Sequence, residues 1–284
     1  MTTTIGNPLS WGMKVLGAAG RDIGRVAHDL GGEAMPRPRV RRIGLSDIRA
    51  ALKAGVADLA AFRSDVIAAA VIYPVAGACL IWIALHRDLL HLVFPLLAGF
   101  ALLGPAAAVG LYEMSRRREA GQAVSWGDGL GVIASPRIGA ILALALGHLA
   151  VFVLWLLAAH WVFLATMGPT APDSTAQFLR DMLTTPAGWA MIAIGLPLGF
   201  LFAALVLVTS AVSFPLLLDR PVGLPVAVVT SVRVARESPA AIALWGLVVA
   251  AALVLGALPF LIGLAVVMPV LGHATWHLYR RAVG

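Results

Sequence analysis

The sequence predicts an all-α polytopic membrane protein: six transmembrane helices as three hairpins, each preceded by an amphipathic helix on the cytoplasmic side. Three observations predict it. Of 284 residues, 60% are hydrophobic and 12% charged, with a mean hydropathy of +0.92, whereas a soluble domain carries about a quarter charged residues. Apolar runs recur at the length a bilayer demands, since about 20 helical residues cross about 30 Å of hydrocarbon. The basic residues fall in every second connection, as the positive-inside rule requires.

The first apolar run extends from Val66 to Leu85 and is closed by His86-Arg87-Asp88. The second, Leu89 to Tyr112, ends at Glu113 before Arg116-Arg117-Arg118. A third covers Ile138 to Thr166, long enough to tilt. The fourth spans Gly188 to Ser213. Beyond it, residues 240–279 are nearly uncharged and too long for one crossing; Pro259 at their middle lacks an N–H and favours a break, giving helices over 240–257 and 260–279. With both termini cytoplasmic, 19 of the 21 Lys and Arg lie inside, and only Arg87 and Arg180 outside. An error of one helix would spoil that alternation.

Short amphipathic stretches precede each pair: Leu45 to Phe62, Val124 to Ile133 and Leu224 to Ala235. Two of them lead into Ser135-Pro136 and Ser238-Pro239, where Ser suits the N-cap and Pro the first helical residue. The exits also correspond, Leu111-Tyr112-Glu113 before arginines echoing Leu278-Tyr279-Arg280. This reads as a unit used three times within a transmembrane domain over residues 45–284. Residues 1–44 form a separate basic cytoplasmic segment. There Trp11, Val15, Ile23, Val26 and Leu30 recur at helical spacing, as either a membrane-surface helix or a tail, before the basic linker Pro36 to Arg42.

The net charge of +7 belongs to loops beside anionic headgroups, so membrane lipids are the expected partners and nucleic acid is not. Cys79 is alone, which excludes an internal disulfide or a thiolate metal site. The N-terminus lacks the apolar core and cleavage site of a signal peptide.

His273 and His277 stand at i and i+4 late in the last helix, with His148 at comparable depth, so a metal or haem site can be drawn from the three. The plainer account makes His277 interfacial and His273 a packing hydrogen bonder, because two imidazoles without carboxylate or thiolate company are a weak metal signal. His160 beside Trp161 reads as an aromatic-belt neighbour. Glu113 is explained by an ion pair with the arginines three and four residues on. A polar cavity would be lined by Pro105, Glu113, Thr209, Ser210, Ser213 and Pro269, with His148 and His273. Apart from histidine the spans carry no acidic or basic residue at mid-depth, which argues against an ion-coupled pump. No nucleotide-binding loop or hydrolase motif is present, and the loops are too short for a catalytic domain. An enzyme is not expected.

The strings LLAGFALLGPAAAVGLYEMSRR (96–117), SAVSFPLLLDRPV (210–222) and MPVLGHATWHLYR (268–280) resemble the bacterial family called domain of unknown function 2189, over about residues 40–281. The resemblance implies an integral protein of the bacterial inner membrane. Family members are sometimes labelled cytochrome c oxidase subunits, but a haem–copper core needs about six intramembrane His ligands, against His148, His160, His273 and His277 here. The leading expectation is a non-catalytic protein associated with other membrane proteins, a respiratory oxidase among the candidates, with no cofactor. The alternatives are a transporter or channel for a small or lipidic solute, and a haem or copper binder through His273 and His277.

Overall fold

The structure, a computed structural model, describes residues 38–61, 66–86, 89–169 and 174–284 together with Gly31. The helix expected over residues 11–30 and the start of the basic linker lie outside them. The described residues are helical apart from turns and one isolated bridge. In order, α1 is Leu45–Ala61, α2 Val66–His86, α3 Val93–Leu102, α4 Gly104–Ala107, α5 Val109–Glu119, α6 Trp126–Leu130, α7 Ile138–Thr166 and α8 Thr175–Thr184. Then follow α9 Pro186–Ser210, α10 Ser213–Asp219, α11 Leu224–Glu237, α12 Pro239–Ala257 and α13 Leu264–Ala282. Short 3₁₀ turns stand at Leu90–Leu92 and Gly131–Ala134.

Among the described residues, three helices are long and apolar enough to cross a membrane: Ile138–Thr166, Pro186–Asp219 and Pro239–Ala257. Shorter apolar helices cover Pro74–His86 and Leu90–Gly99.

The helix expected over 89–112 is broken in two places. Pro105 opens α4 and cannot donate to the preceding turn, so the chain restarts there and again at Val109. The expected 188–213 helix starts two residues earlier, at Pro186 behind the Thr185 cap, and stops at Ser210 before α10 resumes at Ser213. Ser231 takes the Val212 N–H at 3.3 Å and donates to the Val208 carbonyl at 2.7 Å, so a neighbouring helix supplies the bonds that the break leaves open. The break at Pro259 is a turn in which Phe260 and Leu261 hold positive φ of 50° and 66°. Ser238-Pro239 opens α12 as expected, but the Ser238 hydroxyl accepts from the Ile43 N–H instead of its own helix. α7 begins at Ile138, after Ser135-Pro136, because the Ser135 hydroxyl takes the Arg137 N–H at 3.2 Å.

The long helices pack in a closed ring, α2 against α3, then α7, α9, α12, α13 and back to α2. At one end, here called the polar end, α5, α10 and α13 touch one another and bury Tyr112, Met114, Phe214, Leu216, Trp276 and Tyr279 almost completely. The short helices follow one rule there. α6 packs on α5, α11 on α9 and α10, and α1 on α13, so each lies against the helix that ends the preceding pair, and α1 closes the cycle. At the opposite end large apolar side chains are exposed, Trp82, Trp161 and Phe260 among them.

Candidate functional site

α1 buries one stripe, Ile48, Ala51, Gly55 and Asp58, at spacings of three and four. The stripe runs antiparallel along α13. At Gly55 a Cβ would lie 2.7 Å from the Ala274 nitrogen and 2.8 Å from the Val270 oxygen, so the two backbones meet where no side chain fits. One turn further, that close approach delivers the Asp58 carboxylate into the interface of α1, α5 and α13, where it is 4% exposed.

Four side chains converge on it. Ser115 Oγ, fully buried on α5, donates to Asp58 Oδ2 at 2.5 Å. His277 Nε2 is 2.8 Å from the same oxygen. Arg118 Nη1 donates to Oδ1. His273 Nδ1 lies 2.8 Å from Ser115 Oγ and 3.9 Å from Oδ2. A carboxylate only accepts, and a serine has one proton. Ser115 therefore gives its proton to Asp58 and its oxygen accepts from His273 Nδ1–H, while His277 donates from Nε2. Burial alone would push the Asp58 carboxyl up; hydrogen bonds from His277 and Ser115, with the charges of His277 and His273, outweigh it and hold it below the usual carboxylate range.

A second charged group lies on the same helix. Arg116 holds Glu113 with two bonds of 2.8 and 2.7 Å, and Arg117 adds a third at 2.8 Å, the i+3 and i+4 pairing that the spacing predicts. Burial is again the largest influence on Glu113 and acts upward, yet the two arginines keep its carboxyl low. Glu119 accepts from Trp276 Nε1 at 2.9 Å and Arg280 at 3.1 Å, and Asp219 from Tyr279 at 2.6 Å. These bonds tie α5, α10 and α13 at the polar end.

The structure thus brings His273 and His277 to one carboxylate but places His148 in a different set of bonds. His148 Nδ1 is 2.8 Å from the Leu144 carbonyl and Nε2 is 3.2 Å from Thr209 Oγ1, with the ring against Phe214. Among the described residues no group of three or more His, Cys, Asp or Glu is placed to hold a metal ion. Of the cavity candidates, Thr209 serves His148 and its own helix. Ser213 donates to the Thr209 and Ala227 carbonyls at 2.5 and 3.2 Å. Ser210 and Pro269 are buried in packing, and Pro105 is half-buried at the break. Glu113 lines a cavity at the polar end. His160 meets His91, Nδ1 to Nε2, at 2.9 Å. Asp58, Ser115 and Arg118 escape sequence reasoning. The signal present was the α1 stripe, on which Asp58 stands at an apolar position.

Residues 93–219 match the model of a family described as predicted integral membrane protein, DUF2189, a narrower stretch than the resemblance read from the sequence. No curated protein and no solved structure matches the chain.

Proposed function

We propose that this chain is a non-catalytic integral protein of the bacterial inner membrane that serves as an accessory or assembly partner of other membrane proteins, a respiratory oxidase among the candidates. In this reading it crosses six times as three hairpins and keeps both termini in the cytoplasm, the polar end being the cytoplasmic one. The arginines gathered at that end support the orientation. The cyclic placement of α1, α6 and α11 supports the threefold unit.

One observation carries the partner reading. In the most apolar 18-residue window of α9 only 6% of residues are buried within the chain, against 33% for that of α7 and 22% for that of α12. α9 turns Trp189, Ile194, Leu196, Phe200, Leu201 and Leu205 outward. Its polar groups are meanwhile consumed at the polar end, as with Thr209 on His148. An apolar helix with so little cover in its own fold is suited to packing against a second protein, where association rests on close van der Waals fit.

A photocrosslinking residue at Phe200 tests this in native membranes, with one at Leu146 on α7 as control; the two side chains are 71% and 63% exposed. The expected result is a discrete protein adduct from position 200 that position 146 does not give. Lipid adducts alone from both positions would overturn the partner reading.

A further inference from the structure

A cavity of about 210 Å³ opens at the polar end between α5, the 131–134 turn, the start of α7 and the end of α10. Three of its walls are guanidiniums, Arg116, Arg117 and Arg137, set against a single lining carboxylate, Glu113. We propose that this cavity binds a phosphate-bearing anion.

The arginines are held in place rather than spent. Arg116 and Arg117 are fixed by Glu113, and Asp128 holds Arg117 Nη1 at 2.6 Å from outside the cavity. Arg137 Nη1 donates to the Leu218 carbonyl, one of the last in α10, whose orphan acceptor it satisfies. A guanidinium has five N–H donors, so these contacts leave others over on all three. The side chains of Arg116 and Arg117 are still 37% and 32% exposed. Planar donors arrested in a fork lose little freedom on meeting a phosphate, which they match geometrically. The Ser135 hydroxyl stands in the same wall.

The equivalent seams elsewhere are closed by other chemistry. Where α1 meets α13 the Asp58 carboxylate neutralises the bases around it. Where α11 meets α9 and α10, hydroxyl-to-backbone bonds of Ser231 and Ser213 fill the seam. At the cavity beside α5 three guanidiniums instead surround open space. The site borders the first turn of an apolar helix, so the phosphate belongs either to a lipid headgroup or to a soluble phosphate. Only the lipid source depends on the membrane orientation proposed above.

The test uses the full chain purified in neutral detergent. Retention of phosphatidylglycerol against phosphatidylcholine of the same chains is read by native mass spectrometry. Melting in sodium phosphate is compared with sodium chloride at matched ionic strength. Ala134→Glu puts a carboxylate at the exposed cavity wall without removing a bond, and Arg116→Gln removes one fork. Wild type is expected to prefer phosphatidylglycerol, or to melt higher in phosphate than in chloride. Ala134→Glu is expected to weaken that response by about fivefold or more while melting like wild type in chloride. Selective lipid retention that survives added phosphate identifies the headgroup; a phosphate-specific shift without lipid preference identifies the soluble anion. No preference of either kind in wild type, or responses unchanged in Ala134→Glu, would overturn the proposal. If Arg116→Gln fails to fold, Ala134→Glu decides alone.

Discussion

Asp58 shows what a single buried carboxylate does when every partner is supplied. Its two oxygens accept from Ser115, His277 and Arg118, so its charge is compensated where burial would otherwise expel it. Removing one member of such a set costs more than the set contributes, because the others stay buried without it. Arg118 is 41% exposed and recovers water, which discounts its share. Asp58→Asn is therefore expected to cost about 2 kcal/mol, read as a lower melting temperature in detergent at neutral pH. The sign of the pH dependence follows from the direction of the shift. A carboxyl held low in the folded state contributes stability above its unfolded value, near about 4, and loses it as pH falls through the folded value. The melting gap between wild type and Asp58→Asn should be constant from neutrality to mild acid and close below about pH 4. A gap that stays unchanged well below about pH 4 would show that the Asp58 charge does not carry the difference.

At the scale of elements, Gly55 decides how closely α1 follows α13. A Cβ there meets backbone atoms, the Ala274 nitrogen at 2.7 Å and the Val270 oxygen at 2.8 Å, as well as Ala274 Cβ at 2.8 Å. Gly55→Ala should push the helices apart, cost about 1–3 kcal/mol and loosen the Asp58 contacts one turn away. Adding Ala274→Gly removes the side-chain clash but neither backbone one, so the double variant should recover only part of the loss in the same melting assay. Full recovery would show that side chains, not backbones, set the spacing. This crossing also marks where the sequence stops being legible. α7 and α12 were readable to within a residue or so because uninterrupted apolar runs have few ways to fold, and Pro259 announced its own turn. Glu113 could be paired from spacing alone, its arginines lying one helical turn away. Asp58 could not: its partners Ser115, Arg118 and His277 are 57, 60 and 219 residues distant, and no local pattern encodes that meeting. The break at Ala211–Val212 was hidden for the same reason, since Ser231, which completes its bonds, belongs to α11.

The whole molecule is a ring whose last contact joins the two extremities of the described domain. Val40 and Val283 form an isolated antiparallel bridge, with the Arg41 N–H on the Ala282 carbonyl at 2.8 Å and the Gly284 N–H on the Arg39 carbonyl at 2.9 Å. Ile43 adds its N–H to Ser238 at 3.0 Å, and Arg281 reaches Asp47 at 3.3 Å. Since α1 belongs in sequence to the first helix pair and packs on the end of the third, these few bonds complete a cycle that loops complete at the other two seams. The flanking bonds make Val40 and Val283 a non-hydrogen-bonded pair, whose Cα atoms approach to about 4.5 Å, inside the span a disulfide bridges, about 4.4–6.8 Å. With Cys79, the lone cysteine, replaced by serine, Val40→Cys and Val283→Cys should cross-link on mild oxidation of the purified protein. The bond would tie nearly the whole domain into one loop, and such long closures stabilise by up to about 4 kcal/mol. The oxidised protein should melt above its reduced form and migrate faster under denaturing, non-reducing electrophoresis. If it cross-links only between molecules, the ring is closed by a second copy of the chain; if it does not cross-link at all, the first and last segments do not meet.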